Sequence, residues 1–154
     1  MHIFTDSSVN ARHNVAIGSY LFLDNIDLVD HSIKNNIKHI QFNSRSSTIA
    51  EFTTINHVFQ QLHLLNLDNL NIYLYTDCRN FVRLFNRKDS IKTDNPNYEL
   101  YMYLIDTLEK FKINVIWTKG HMTKCLQTEN YQRIFSFVDK HARRTLREKL
   151  VEKP

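Results

Sequence analysis

Four carboxylates in this 154-residue chain stand where they could do chemistry: Asp6, Glu51, Asp77 and Asp139. Asp77 closes the stretch Asn-Ile-Tyr-Leu-Tyr-Thr-Asp-Cys, residues 71–78. Its alternating β-branched and aromatic residues read as a strand buried on both faces. Ligands of α/β sheets gather beyond the carboxyl ends of parallel strands, which is where this acid falls. Asp6 lies in another short strand, Ile3 to Ser7. If the two strands are parallel neighbours, Asp6 and Asp77 sit side by side. Glu51, in the first turn of a helix packed on that sheet, can point at the same spot, with Asp139 near the beginning of the last helix. Carboxylates so close repel one another and raise their pKa values. Divalent cations bound through oxygen relieve that repulsion, so the chemistry to expect is metal-assisted.

Each acid also has a plainer reading. Thr48-Ile49-Ala50-Glu51 matches the S/T-x-x-E capping box, which makes Glu51 an N3 cap. Ser136-Phe137-Val138-Asp139 is cap-like in the same way, Asp77 can N-cap the helix that follows it, and Asp6 can be a surface acid. It is the joint placement of the four that points to a site.

The elements that must position them follow from periodicity. Ile3 to Ser7, Ala16 to Leu23 and Ile37 to Phe42 form three strands of an antiparallel meander. Ser44 to Thr48 opens a helix carrying Phe52, Ile55, Phe59 and Leu62, which breaks at Asn66 to Asn71. After the central strand, Phe81 to Phe85 reads as a short helix and Arg87 begins a loop. Asp94-Asn95-Pro96 gives a helix start with proline at the first helical position. Leu100, Leu104, Leu108 and Phe111 form that helix's core stripe. Ile113, Val115 and Trp117 make a fifth strand, ending at Lys119-Gly120-His121. Met122 to Phe135 has no decisive pattern. Val138, Ala142, Leu146 and Leu150 mark a last helix, with Lys140, Arg143, Arg144 and Arg147 around it. The order gives an α/β fold, a mixed sheet with helices on its faces, in a single domain over 1–154.

Composition sets the bounds. At 42% hydrophobic, with ten Phe and seven Tyr, the chain can bury a core. A net charge of +4 suits a polyanionic partner. Two cysteines without a CxxC pair read as free thiols and make a structural zinc site improbable. No run is apolar enough to span a membrane, and no signal-peptide pattern opens the chain, so a cytoplasmic monomer without membrane contact is expected.

The order Thr5-Asp6-Ser7-Ser8, Ala50-Glu51, Tyr75-Thr76-Asp77-Cys78, Lys119-Gly120-His121 and Val138-Asp139-Lys140-His141-Ala142-Arg143 resembles type 1 ribonuclease H, over about residues 1 to 150. The resemblance implies a five-stranded mixed sheet of order 3-2-1-4-5 and a metal-dependent endonuclease that cuts the RNA of RNA–DNA hybrids, leaving 5′-phosphates. It implies that Asp6, Glu51, Asp77 and Asp139 hold two Mg²⁺ ions, with Mn²⁺ as a substitute. His121 matches the family's mobile histidine, which assists proton transfer or product release.

The departures concern substrate binding. Ser7 to Asn14 replaces a glycine-bearing hairpin, leaving Asn10 or Asn14 to meet the RNA 2′-hydroxyl. Ser44-Arg45-Ser46-Ser47 replaces an asparagine-rich run and offers Ser47; Arg79 replaces a glutamine and suits a phosphate, with Arg144 as a further contact. The interval from Asp77 to His121 is too short for the basic protrusion of many bacterial members, and the loop from His121 to Asp139 is longer than usual. Exonucleases of the superfamily need D-x-E where this chain has Asp6-Ser7-Ser8, and actin-like kinases need glycine-rich loops that two glycines cannot supply. A structure-specific or retroelement-type nuclease, or a binding domain without chemistry, remain as alternatives.

Overall fold

A computed structural model describes residues 1–67 and 69–152. Asp68, in the expected break between helix and central strand, and the last two residues lie outside them. Five strands form one sheet: β1 (His2–Asn10), β2 (Val15–Leu23), β3 (Lys38–Phe42), β4 (Tyr73–Thr76) and β5 (Asn114–Trp117). Their order is β3-β2-β1-β4-β5. The first three strands pair antiparallel, whereas β4 is parallel to both β1 and β5. Among the described residues four α-helices complete the layers: α1 (Ser47–Leu62), α2 (Arg79–Val82), α3 (Tyr98–Phe111) and α4 (Asn130–Val151). The mixed sheet and its order match the expectation.

The period of two along the central strands explains why both sheet faces are covered. Ile3 and Leu74 face one way and pack with Phe52, Ile55, Phe59 and Leu62 of α1 and Leu104 of α3. Phe4 and Tyr75 face the other way and pack with Ile134, Phe135 and Val138 of α4. Ile3, Phe4 and Leu74 are fully buried, and side chains of this size contribute roughly 1.5–3 kcal/mol each by leaving water.

Several elements differ from expectation. The α1 N-cap is Ser46, whose Oγ accepts from the Ile49 amide, so the capping box Thr48–Glu51 does not form and Glu51 lies a full turn inside the helix. Cys78, and not Asp77, is the N-cap residue of α2, which begins earlier than expected and is followed by a 3₁₀ segment, Phe85–Ser90. Helix α3 starts at Tyr98; Pro96 precedes it, and Asn95 caps a turn by accepting from the Asn97 amide. A 3₁₀ segment at His31–Asn36 was not expected; Asp30 caps it through the Ser32 amide.

The largest difference is α4. It begins at Asn130, so Met122 to Phe135 resolves into a 3₁₀ turn at Lys124–Leu126 and two further helical turns. Glu129 and Gln132 close a reciprocal capping box at its start. Glutamate is a weak N-cap type, which is why the start is quiet in sequence. Asp139 is therefore a mid-helix residue and not a cap.

Gly18 in β2 shows how tightly α1 is seated. A Cβ there would fall on the Thr54 side chain. Thr54 in turn meets the Ser7 hydroxyl at 2.8 Å, next to the β1 acid. Gly18→Ala should destabilise the protein by about 1–3 kcal/mol through overpacking. Thr54→Ala in the same chain should recover part of that loss, a non-additive pair readable in a double-mutant cycle of urea midpoints. Additive effects would show that the contact is not tight.

Candidate metal and active site

The parallel register of β1 and β4 aligns Phe4 with Tyr75. Two residues further along, Asp6 comes level with Asp77, just beyond the last residue of β4. Glu51 reaches the same place from α1. One oxygen from each of Asp6, Glu51 and Asp77 lies within 4.8 Å of the others. The cleft they open has a volume of about 590 Å³, with Ser7, Ser8, Ser47, Thr48, Arg79 and Asn80 among its lining residues.

Each acid is oriented by a different interaction. Glu51 Oε1 accepts from the Ser7 backbone N–H at 2.8 Å. Its Oε2 is buried without a hydrogen-bond partner among the described groups. Trp117 Nε1 donates to the Asp77 carbonyl at 3.1 Å, and the Arg79 guanidinium lies 4.9 Å from the centre of the Trp117 ring. Asp139 is buried on α4, where its Oδ2 accepts from Arg143 at 2.7 Å. His121 Nδ1 lies 3.4 Å from the same oxygen, and the His121 side chain is otherwise largely exposed.

The loop after β5 closes against the acids. A Cβ on Gly120 would fall on the Asp77 carboxylate, so a side chain there would push that acid out of its place. His121 follows with φ of 54°, a left-handed conformation that costs a non-glycine residue of order 1 kcal/mol. The contacts to Asp77 and Asp139 bring the histidine to the edge of the cleft.

The electrostatics follow from burial. Asp6 is held well above the usual carboxylate range by burial, then by the charges of Glu51, Asp77 and Asp139. Glu51 is also raised well above its usual range, by burial and then by Asp77, with the Ser7 amide opposing. Asp77 is raised by burial and by Asp139, and His121 opposes this. Three hard oxygen donors in mutual repulsion, one of them carrying a buried orphan oxygen, are a donor set that could hold a metal ion. Asp139 differs from the other three in having an arginine partner. The Cys78 thiol beside them is pushed up to about 11 by burial, which removes it as a nucleophile.

The structure thus brings together Asp6, Glu51, Asp77, Asp139 and His121, with Ser47 and Arg79 in the same cleft. Asn10 and Asn14 lie at the β1–β2 hairpin and not among the residues lining it; Asn10 Oδ1 accepts from the His13 amide, and Asn14 takes φ of 50°. Arg144 lies in a separate groove on α4. The sequence gives no site role to Ser7, Gly120 or Trp117, and places Arg143 among the cations around the last helix without pairing it to Asp139. Arg143 was findable as an i,i+4 partner of Asp139, and Gly120 as one of only two glycines. The Ser7 amide has no sequence signal at all.

A carboxyl whose folded pKa exceeds its unfolded value keeps its proton longer in the folded state. The folded protein then binds more protons, so stability declines as pH rises from about 4 through the raised values. Thermal melts in EDTA should show this decline for the wild type. Asp77→Asn should flatten it and leave the metal-free melting temperature equal or higher by roughly 2–4 °C, the equivalent of about 1 kcal/mol. A lower melting temperature and an unchanged pH slope would remove Asp77 from the repelling cluster.

No family model and no curated sequence matches the chain. Solved structures do. A structure of the foamy viral protease-reverse transcriptase in complex with dsDNA aligns with TM-score 0.63 and 13% identity, covering 92% of this chain and 90% of that one. LC11 ribonuclease H1 in complex with an RNA/DNA hybrid aligns with TM-score 0.58 and 14% identity over 94% of this chain and 98% of that one. Ribonuclease H1 from the halophilic archaeon Halobacterium salinarum aligns with TM-score 0.54 and 13% identity over 77% and 85%. With the strand order, these similarities establish that the chain has a fold of the type 1 ribonuclease H kind.

Proposed function

We propose that this protein is a Mg²⁺- or Mn²⁺-dependent endonuclease that hydrolyses the RNA strand of RNA–DNA hybrids. The observation that carries the reading is the convergence of Asp6, Glu51 and Asp77 from three separate elements, beside Asp139, with Glu51 Oε2 buried and without a hydrogen-bond partner among the described residues. Cations of this class take carboxylate oxygens. Asp6, Glu51, Asp77 and Asp139 would hold such ions, and the chemistry these would supply is activation of a water and neutralisation of charge on the leaving 3′-oxygen.

The chain's own residues account for the remaining steps. The Ser7 amide fixes the Glu51 carboxylate before substrate arrives. Arg143 holds Asp139, and Trp117 holds the Asp77 backbone, so both acids are oriented in advance. Arg79, spread over the Trp117 ring at the cleft, is placed to meet a phosphate, and Ser47 lies at the cleft wall by the N-terminus of α1. His121, exposed on its loop, is placed to take a proton or to assist release of the product. The hybrid substrate is supported by the LC11 neighbour, which is bound to an RNA/DNA hybrid; the foamy viral neighbour, bound to dsDNA, makes duplex DNA the necessary control.

Folded protein with millimolar Mg²⁺ or Mn²⁺ should cleave a labelled hybrid and leave 5′-phosphate ends, with DNA and RNA duplexes intact. No hybrid cleavage with either ion would overturn the proposal. Asp77→Asn should reduce cleavage to background. His121→Ala should lower turnover by roughly 10²-fold while the metal-induced rise in melting temperature persists. Loss of that rise in the histidine variant would make His121 a ligand instead.

A further inference from the structure

The opposite flank of α4 carries a basic surface that the cleft does not use. Two adjoining grooves, of about 290 and 480 Å³, run between α4 and the 3₁₀ segment at His31–Asn36. Lys34, Phe137 and Lys140 line both. Six cations border the pair: Lys34, Lys124, Arg133, Lys140, Arg144 and Arg147. No aspartate or glutamate lines either groove. Among the described residues, only Arg144 of the six has an acidic partner, Glu148 at a loose 3.8 Å. Lys34 is fixed in place by lying 4.7 Å over the Phe137 ring. Like charges gathered this closely repel one another, and of the chain's sixteen acids none lines the grooves; Glu148 stands beside Arg144 at their edge.

The position of the grooves matters as much as their charge. Asp139 faces the cleft and Lys140, the next residue, faces the grooves. Lys140, Arg144 and Arg147 then follow one helical face over about 10 Å, a row long enough to meet more than one backbone phosphate. We propose that this surface is a second nucleic-acid contact, which binds the backbone phosphates of a single-stranded segment flanking the duplex held at the cleft. The proposal rests on the reading that the cleft takes nucleic acid, but it concerns binding and requires no cleavage.

The test uses the whole chain in EDTA, so that catalysis plays no part. The probes are a fluorescent hybrid just long enough to fill the cleft, and the same hybrid with a ten-nucleotide single-stranded extension. Wild type should bind the extended probe more tightly, with a steeper dependence on salt. In a Lys34→Ala, Lys140→Ala, Arg147→Ala variant the slope on the extended probe should become shallower by about 2, since each single-strand phosphate contact contributes about 0.7. In wild type the contribution of these three contacts to the extended probe's advantage should shrink by about 16-fold between 50 and 200 mM salt, and the variant should lack that change. Binding to the blunt hybrid should be unchanged. Lys140→Ala with Arg147→Ala alone, which leaves Lys34 on Phe137, guards against loss of packing and should give an intermediate slope. Equal binding of both probes by wild type would overturn the proposal. So would a variant that loses affinity for the blunt hybrid equally, or anionic phospholipid vesicles that bind wild type while the extension has no effect. Cleavage of the blunt hybrid by the triple variant at the wild-type saturated rate separates this outcome from failure of the nuclease reading.

Discussion

Three carboxylates that repel one another, Asp6 and Glu51 buried and Asp77 half-buried, are the constraint around which this structure is arranged. Left to itself, a chain would spread Asp6, Glu51 and Asp77 into solvent. They stay together because each is carried by an element with a strong independent reason to be where it is. Asp6 continues a strand whose Ile3 and Phe4 are fully buried on opposite faces. Asp77 follows the strand that pairs with it. Glu51 sits on α1 between the buried residues Ala50 and Phe52. Apolar burial of several side chains, at roughly 1.5–3 kcal/mol each, outweighs the repulsion and fixes the geometry before any cation binds. The repulsion is what makes the cluster receptive to a cation, consistent with functional sites that store unfavourable energy held by the surrounding core.

The same logic explains why the chain's two glycines matter. Gly18 lets α1 approach the sheet until Thr54 meets Ser7, whose amide then holds Glu51. Gly120 lets the loop after β5 press against Asp77 and brings His121 to the rim. One glycine sets the depth of a helix and the other the position of a loop, and both act on an acid of the cluster. With no other glycine in the chain, the rest of the backbone relies on asparagine and other residues at its left-handed positions, as at Asn14, Asn69 and Lys112.

Helix α4 joins two regions of opposite charge. Its inner face contributes Asp139 to the acidic cluster, balanced by Arg143 one turn on. Its outer face is basic. On the proposed reading, Arg79 at the cleft would meet the phosphates of the duplex, and the α4 face those of a strand flanking it.

The sequence by itself determined the sheet, its order by way of the resemblance, and the four acids with His121. Alternating burial on strands and three-four spacing on helices are local signals, and acids at element ends are visible against them. It left open the points where local chemistry offered two answers. Thr48–Glu51 satisfies the capping-box pattern, yet Ser46 takes the cap and Glu51 is freed for the cleft. The start of α4 was hidden because glutamate and glutamine, and not serine or aspartate, cap it. Arg144 and Arg143 look alike in a charge run, but they are 100° apart around a helix, so one falls in a groove and the other on Asp139. Only the tertiary structure decided that the Ser7 amide would hold Glu51 and that Gly120 would press on Asp77. Those contacts join residues distant in the chain through backbone atoms, or through the absence of a side chain, and no local pattern encodes which atoms will meet.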